Sequence, residues 1–88
     1  MIYRVDNASK RVDKQILKLP TDYRNLVVKK ILGLETNPRP YGVQKLADNI
    51  YRLKVGRYRI IYEIDDDKKL VVITKVDKRS ESTYKNIT

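Results

Sequence analysis

Residues 51 to 64 read Tyr-Arg-Leu-Lys-Val-Gly-Arg-Tyr-Arg-Ile-Ile-Tyr-Glu-Ile, a run in which apolar and charged side chains largely alternate on either side of one glycine. Such alternation marks strands with one buried and one wet face. Gly56-Arg57 fits a two-residue hairpin loop whose first central position requires positive φ, the conformation glycine adopts without strain. The hairpin then places Val55 opposite Tyr58, Leu53 opposite Ile60 and Tyr51 opposite Tyr62, which gives one apolar layer. On the other face Arg52 and Lys54 stand together, and Lys54 lies directly across from Arg59. Two like charges in register repel. A chain that keeps them there is expected to place an anion between them.

The rest of the chain supplies what such a hairpin needs in order to be covered. Ile2 to Val5 reads as a first, edge strand ended by Asp6-Asn7. Ala8, Val12, Ile16 and Leu19 fall on one face of a helix over residues 8 to 19, for which Asp6 or Asn7 would serve as N-cap. Pro20 ends that helix, and Thr21 or Asp22 would cap a second, whose stripe is Tyr23, Leu26, Val27, Ile31 and Leu34. Gly33 weakens this helix unless a close contact needs the missing side chain. Residues 37 to 42, Asn-Pro-Arg-Pro-Tyr-Gly, form a loop that delivers Lys45-Leu46 to the sheet. Asp65-Asp66-Asp67-Lys68-Lys69 is a charged turn, read as a solvated hairpin tip and not as a metal site. Leu70 to Val76 is a last strand, apolar on both faces around Val71 and Val72 and so suited to cover on both sides. The expected architecture is one α+β domain over residues 1–88, in the order β-α-α-β-β-β. Two N-terminal helices pack on a twisted, mostly antiparallel four-stranded sheet.

Composition narrows the chemistry. The 88 residues contain no cysteine and no histidine, which excludes a disulfide framework, a thiol nucleophile, an imidazole base and the usual zinc ligands. No apolar run is long enough to span a membrane and the N-terminus has no secretory layout, so a cytoplasmic protein is expected. Twenty lysines and arginines against eleven aspartates and glutamates give +9, spread over both halves of the chain. This suits a polyanion or an acidic protein as partner.

The cations of interest are Arg52, Lys54 and Arg59, with Arg79 and Tyr84 emerging beyond the last strand. If they converge they form a phosphate cradle, in which guanidinium forks grip phosphate oxygens, lysine adds a point charge and tyrosine offers a stacking surface. A cradle of this kind also suits RNA cleavage, because the 2′-hydroxyl is an internal nucleophile that needs alignment and charge stabilisation. By parity and charge alone, a solvated face of an antiparallel sheet accounts for the hairpin cations equally well.

The runs Lys18-Leu19-Pro20, Asn37 to Gly42, Lys45-Leu46, residues 51 to 64 and Lys78-Arg79 resemble the RelE/ParE toxin superfamily, on its RelE side. The most specific part is the segment 51 to 64. The resemblance implies two helices against a twisted antiparallel sheet and a toxin of a type II toxin-antitoxin pair. It also implies a metal-independent mRNA interferase, cofactor-free, which cleaves mRNA in the ribosomal A site and leaves a 2′,3′-cyclic phosphate. By position, the family's strand cations match Arg52 and Lys54, its hairpin arginine Arg59, its post-strand arginine Arg79 and its C-terminal tyrosine Tyr84. Lys45, Arg57, Lys78 and Lys85 are the further cations expected to meet RNA. Arg52 stands where some members have lysine, and arginine is a poor base, so Lys54 or Tyr84 would take that role. Asp77 replaces a frequent glycine and Lys78 a frequent histidine. An acidic antitoxin is the implied partner. The alternatives on the same scaffold are a ParE-like toxin that binds DNA gyrase and a basic RNA-binding relic that does not cut.

Overall fold

The computed structural model describes residues 2–78. Its elements are β1 (Arg4–Asn7), α1 (Lys10–Leu17), α2 (Thr21–Gly33), β2 (Gln44–Ala47), β3 (Ile50–Val55), β4 (Tyr58–Asp65) and β5 (Leu70–Lys78). The strands form one sheet in the order β1-β5-β4-β3-β2. β2 to β5 make an antiparallel meander, and β1 adds parallel to β5. The two helices cover one face of this sheet. Among the described residues no helix is long and apolar enough to cross a membrane.

The central hairpin has the register that alternation predicts. Val55 faces Tyr58, Leu53 faces Ile60, Tyr51 faces Tyr62 and Lys54 faces Arg59. Gly56 has φ +59°, and a Cβ there would lie 2.7 Å from Cε1 of Tyr23, so the turn needs glycine for both conformation and space. Tyr23 in turn packs edge-on against Tyr58, with ring centroids 4.9 Å apart. The inner layer of Tyr51, Leu53, Val55, Ile60, Tyr62, Ile64, Val71, Ile73 and Val76 meets Val12, Leu19, Val27, Ile31 and Leu34 from the helical side. β5, apolar on both faces, is an interior strand between β1 and β4.

Several local expectations shift. The first strand begins two residues later than Ile2, because Tyr3 is drawn into the core with its N–H on the Glu35 carbonyl. The α1 N-cap is Ser9, and Asn7 instead stays in β1 and donates its side-chain amide to Asp13. The α2 N-cap is Pro20, whose carbonyl accepts the Arg24 N–H, while Thr21 and Asp22 are already helical. Leu26 is 47% exposed, at the rim of the stripe. Gly33 ends α2 in open space, so no close helix contact explains it. Among the described residues the sheet has five strands where four are expected. Gln44–Ala47 pairs with β3, yet all four of its residues are exposed, so its side chains carry no alternation to announce it.

The loop from Asn37 to Gly42 is fastened to the sheet by a polar network. The buried Tyr62 hydroxyl donates to the Pro38 carbonyl at 2.7 Å, and its ring stacks on Tyr51. Arg39 donates through Nε to the Tyr51 hydroxyl and through Nη1 and Nη2 to the two Asp66 oxygens, at 3.2 and 2.8 Å. Tyr3 also donates to Asp66, at 2.6 Å. The Arg39 and Tyr3 hydrogen bonds hold the Asp66 carboxyl down at about 2. Burial, with a smaller contribution from Tyr51, pushes the Tyr62 phenol up to about 12. Asp66 thus has a structural partner, and Asp65 accepts the Lys68 N–H within the turn.

Candidate functional site

The sheet face opposite the helices is built from outward positions of β2 to β5. Register fixes two rows across the strands. Lys54, Arg59 and Asp77 are consecutive neighbours in the first, and Gln44, Arg52, Ile61 and Lys75 in the second. With adjacent strands about 4.8 Å apart, four cations fall within a patch about 15 Å wide. Arg52, Lys54 and Arg59, expected to share a face, do share it.

Each is held differently. Lys54 is exposed and makes no hydrogen bond or ion pair among the described residues. Arg52 is half-buried; its Nη2 donates to Oε1 of Gln44 and its buried Nε has no hydrogen-bond partner among the described residues. Arg59 donates from Nε and Nη2 to the two oxygens of Asp77, both at 3.3 Å. Lys75 Nζ lies 3.2 Å from the same carboxylate. Arg59 thus has a counter-ion from the chain itself, one strand over, whereas no anion lies between Lys54 and Arg59 among the described residues. Asp77 and Lys75 are the members of this face that the sequence reading did not select. Their signal was present in the alternation Lys75-Val76-Asp77, with Val76 buried between two outward charges.

Not all the expected RNA contacts join this patch. Arg57 lies at the exposed tip of the β3–β4 hairpin, next to it. Lys45 pairs with Tyr51 and Lys78 with Tyr58, so both take the parity of the helix-covered face and sit exposed at its edges. One residue of register separates them from Gln44 and Asp77, and in a strand one residue reverses the face. Arg79, Tyr84 and Lys85 lie outside the described residues. Among the described residues no group of acidic side chains is arranged to hold a metal.

Chemically the patch offers four cations, a carboxylate that divides itself between two of them, Arg59 and Lys75, and, among the described residues, no aromatic ring. It can bind an extended phosphodiester by charge, with the guanidinium of Arg59 as the component of fixed orientation.

Comparison with known proteins places the fold in a family. Residues 5–83 match the family model for the ParE toxin of the type II toxin-antitoxin system parDE. The candidate toxin RelE1 of Methanocaldococcus jannaschii is 33% identical over 82 residues, covering 88% of this chain and 90% of that protein. The crystal structure of the archaeal RelE-RelB complex from Pyrococcus horikoshii superposes with a TM-score of 0.84 at 31% identity, over 92% of this chain and 99% of that one. The toxin-antitoxin complex RelBE2 of Mycobacterium tuberculosis gives 0.77 at 28% identity, over 92% and 95%. With the fold and nearly the whole length in agreement, the chain belongs to the RelE/ParE superfamily of type II toxin-antitoxin toxins.

Proposed function

We propose that this toxin is a ribosome-dependent mRNA endoribonuclease that acts in the cytoplasm and arrests translation by cutting message in the A site. The observation that carries the reading is the grouping of Arg52, Lys54 and Arg59 on one uncovered sheet face, with Lys75 beside them. Lys54, exposed and unpaired among the described residues, takes the proton of the 2′-hydroxyl. The 2′-oxygen then attacks the adjacent phosphorus, the bond to the 5′-oxygen breaks, and a 2′,3′-cyclic phosphate remains. Arg59 and Arg79 hold the phosphate as negative charge builds on its oxygens, which is the step where fixed cations lower the barrier most. Arg52 binds the neighbouring phosphodiester, Tyr84 stacks on a base, and the leaving 5′-oxygen takes a proton from a second cation of the patch, Lys75, or from water.

The same reading assigns an acidic antitoxin as partner, since the relatives from Pyrococcus and Mycobacterium are seen with theirs. A disordered acidic segment that folds onto the cationic face would block the message. The second reading, a toxin that binds DNA gyrase, is favoured by one observation: the matching family model is that of ParE. Primer extension on a defined mRNA, with and without translating ribosomes, separates them. Cuts at codon positions that need ribosomes and vanish in Arg79→Ala support the nuclease. A folded protein that arrests growth without cutting supports the gyrase reading.

A further inference from the structure

Asp77 stands where an inhibitory charge would be least expected, inside the cation patch. Its geometry gives it a different task. An arginine has two edges that can grip an oxyanion side-on or end-on. Asp77 takes the side-on edge, Nε and Nη2. That leaves the end-on fork, made of Nη1 and the second hydrogen of Nη2: Nη1 makes no hydrogen bond among the described residues, and Nη2 spends one of its two hydrogens on Asp77. Arg59 and Asp77 are directly opposed in the β4–β5 ladder, so their backbones cannot drift apart, and both side chains are about three-quarters buried, at 27% and 25% exposure. Lys75 holds the carboxylate from a second side, 3.2 Å away. A half-buried guanidinium gripped along one edge has its plane fixed.

We propose that Asp77 is the positioning residue of Arg59: it fixes the guanidinium plane so that the free fork faces a phosphodiester lying over Lys54 and Arg52. This inference rests on the nuclease reading for its substrate class, RNA phosphate, but not for its geometry. It makes a prediction whose sign is opposite to simple electrostatics. Removing Asp77 makes the patch more positive by one charge, which by field alone strengthens RNA binding and steepens its salt dependence. If Asp77 orients Arg59, removing it weakens the site.

The test uses the full chain and four variants, Asp77→Ala, Asp77→Glu, Arg59→Lys and the double variant Arg59→Lys with Asp77→Ala. Two quantities are read: the single-turnover rate on a defined mRNA held on purified ribosomes, and the affinity for a short single-stranded RNA by fluorescence anisotropy at several salt concentrations. Asp77→Ala should slow cleavage by about 10- to 100-fold, the scale on which residues that orient a working group matter, and lower affinity despite the added positive charge. Asp77→Glu should recover part of both. On the Arg59→Lys background Asp77→Ala should change neither rate nor affinity for the worse, because an ammonium has no plane to set. A purely structural role would carry its loss into that background and overturns the proposal. So does a gain of rate or affinity in Asp77→Ala, which would make the carboxylate a mask, and so does no change. If the wild-type chain binds RNA without cutting it, the nuclease reading fails, and the affinity series alone decides the role of Asp77. An RNA that the wild-type chain neither cuts nor binds overturns both.

Discussion

Two arginine–aspartate pairs stand at opposite ends of the sheet, and they show how similar chemistry divides into scaffold and site. Arg39 spends its donors on Asp66 and the Tyr51 hydroxyl and lies over the Tyr51 ring at 5.3 Å, while Asp66 also accepts from Tyr3. That pair is closed. The Arg59–Asp77 pair has longer contacts, 3.3 Å each, and sits among Lys54, Arg52 and Lys75, so cations exceed anions around it. A closed pair ties a loop to strands and gains little from a visiting anion. An open one has cationic donors left over. On the proposed reading, charge at the first end holds structure and charge at the second meets RNA, and each half can be broken separately.

The largest effects are expected at the open end. Lys54→Ala, Arg59→Ala and Arg79→Ala should each lower the cleavage rate by about 100- to 1000-fold, the usual loss when one transition-state contact is removed. For Lys54→Ala the midpoint of thermal unfolding should stay where it is, because the side chain is exposed and makes no hydrogen bond or ion pair among the described residues. Wild-type rates in Lys54→Ala would remove this face as the active site. A fall in rate matched by a fall in stability would erase the distinction between the two ends.

At the closed end the expected losses are in stability. Tyr62→Phe leaves the Pro38 carbonyl buried without its donor, which costs about 1–3 kcal/mol, and should leave the cleavage rate unchanged. The phenol also has a pH signature. Because its folded pKa is raised, the folded state keeps a proton that the unfolded chain gives up near pH 10. The stabilisation is complete below about pH 10 and is lost as pH rises through about 12. The stability difference between wild type and Tyr62→Phe, from urea unfolding, should therefore shrink between those values. A difference that stays constant there would mean that the hydroxyl ionises as freely in the fold as out of it.

How much of this was legible follows from which interactions are local. Parity along residues 51 to 64 is enough to place Arg52, Lys54 and Arg59 together, because one tight turn fixes the register. The same parity stops short at β5. A bulge between Ile61 and Tyr62 shifts the β4–β5 register, so pairing Arg59 with Asp77 requires knowing where the extra residue falls. The alternation Lys75-Val76-Asp77 turns Asp77 outward but does not name its partner on β4. In the sequence Arg39 is part of a loop and nothing more, since a network joining residues 3, 39, 51 and 66 has no period. β2 escaped for a related reason: an edge strand of four exposed residues is held by backbone pairing to β3 and has no buried face.

The smallest expected effect sharpens the comparison most directly, because it titrates the closed pair without touching the core. Asp66 is exposed, so Asp66→Asn should cost little at neutral pH. Its folded pKa is depressed, first by Arg39 and then by Tyr3. A depressed carboxyl contributes stability that is present above its unfolded pKa, about 4, and that is lost as pH falls below it, toward the folded value of about 2. Wild type and Asp66→Asn should therefore converge in stability between pH 4 and 2, read as urea midpoints at each pH. Over the same window their RNA affinities should run parallel, since Asp66 lies in the β4–β5 turn, away from the cation patch. Parallel stabilities would mean that Arg39 and Asp66 do not interact in solution as they do in the fold. Diverging affinities would mean that the two ends of the sheet communicate, and that the division between scaffold and site is not the one their geometry draws.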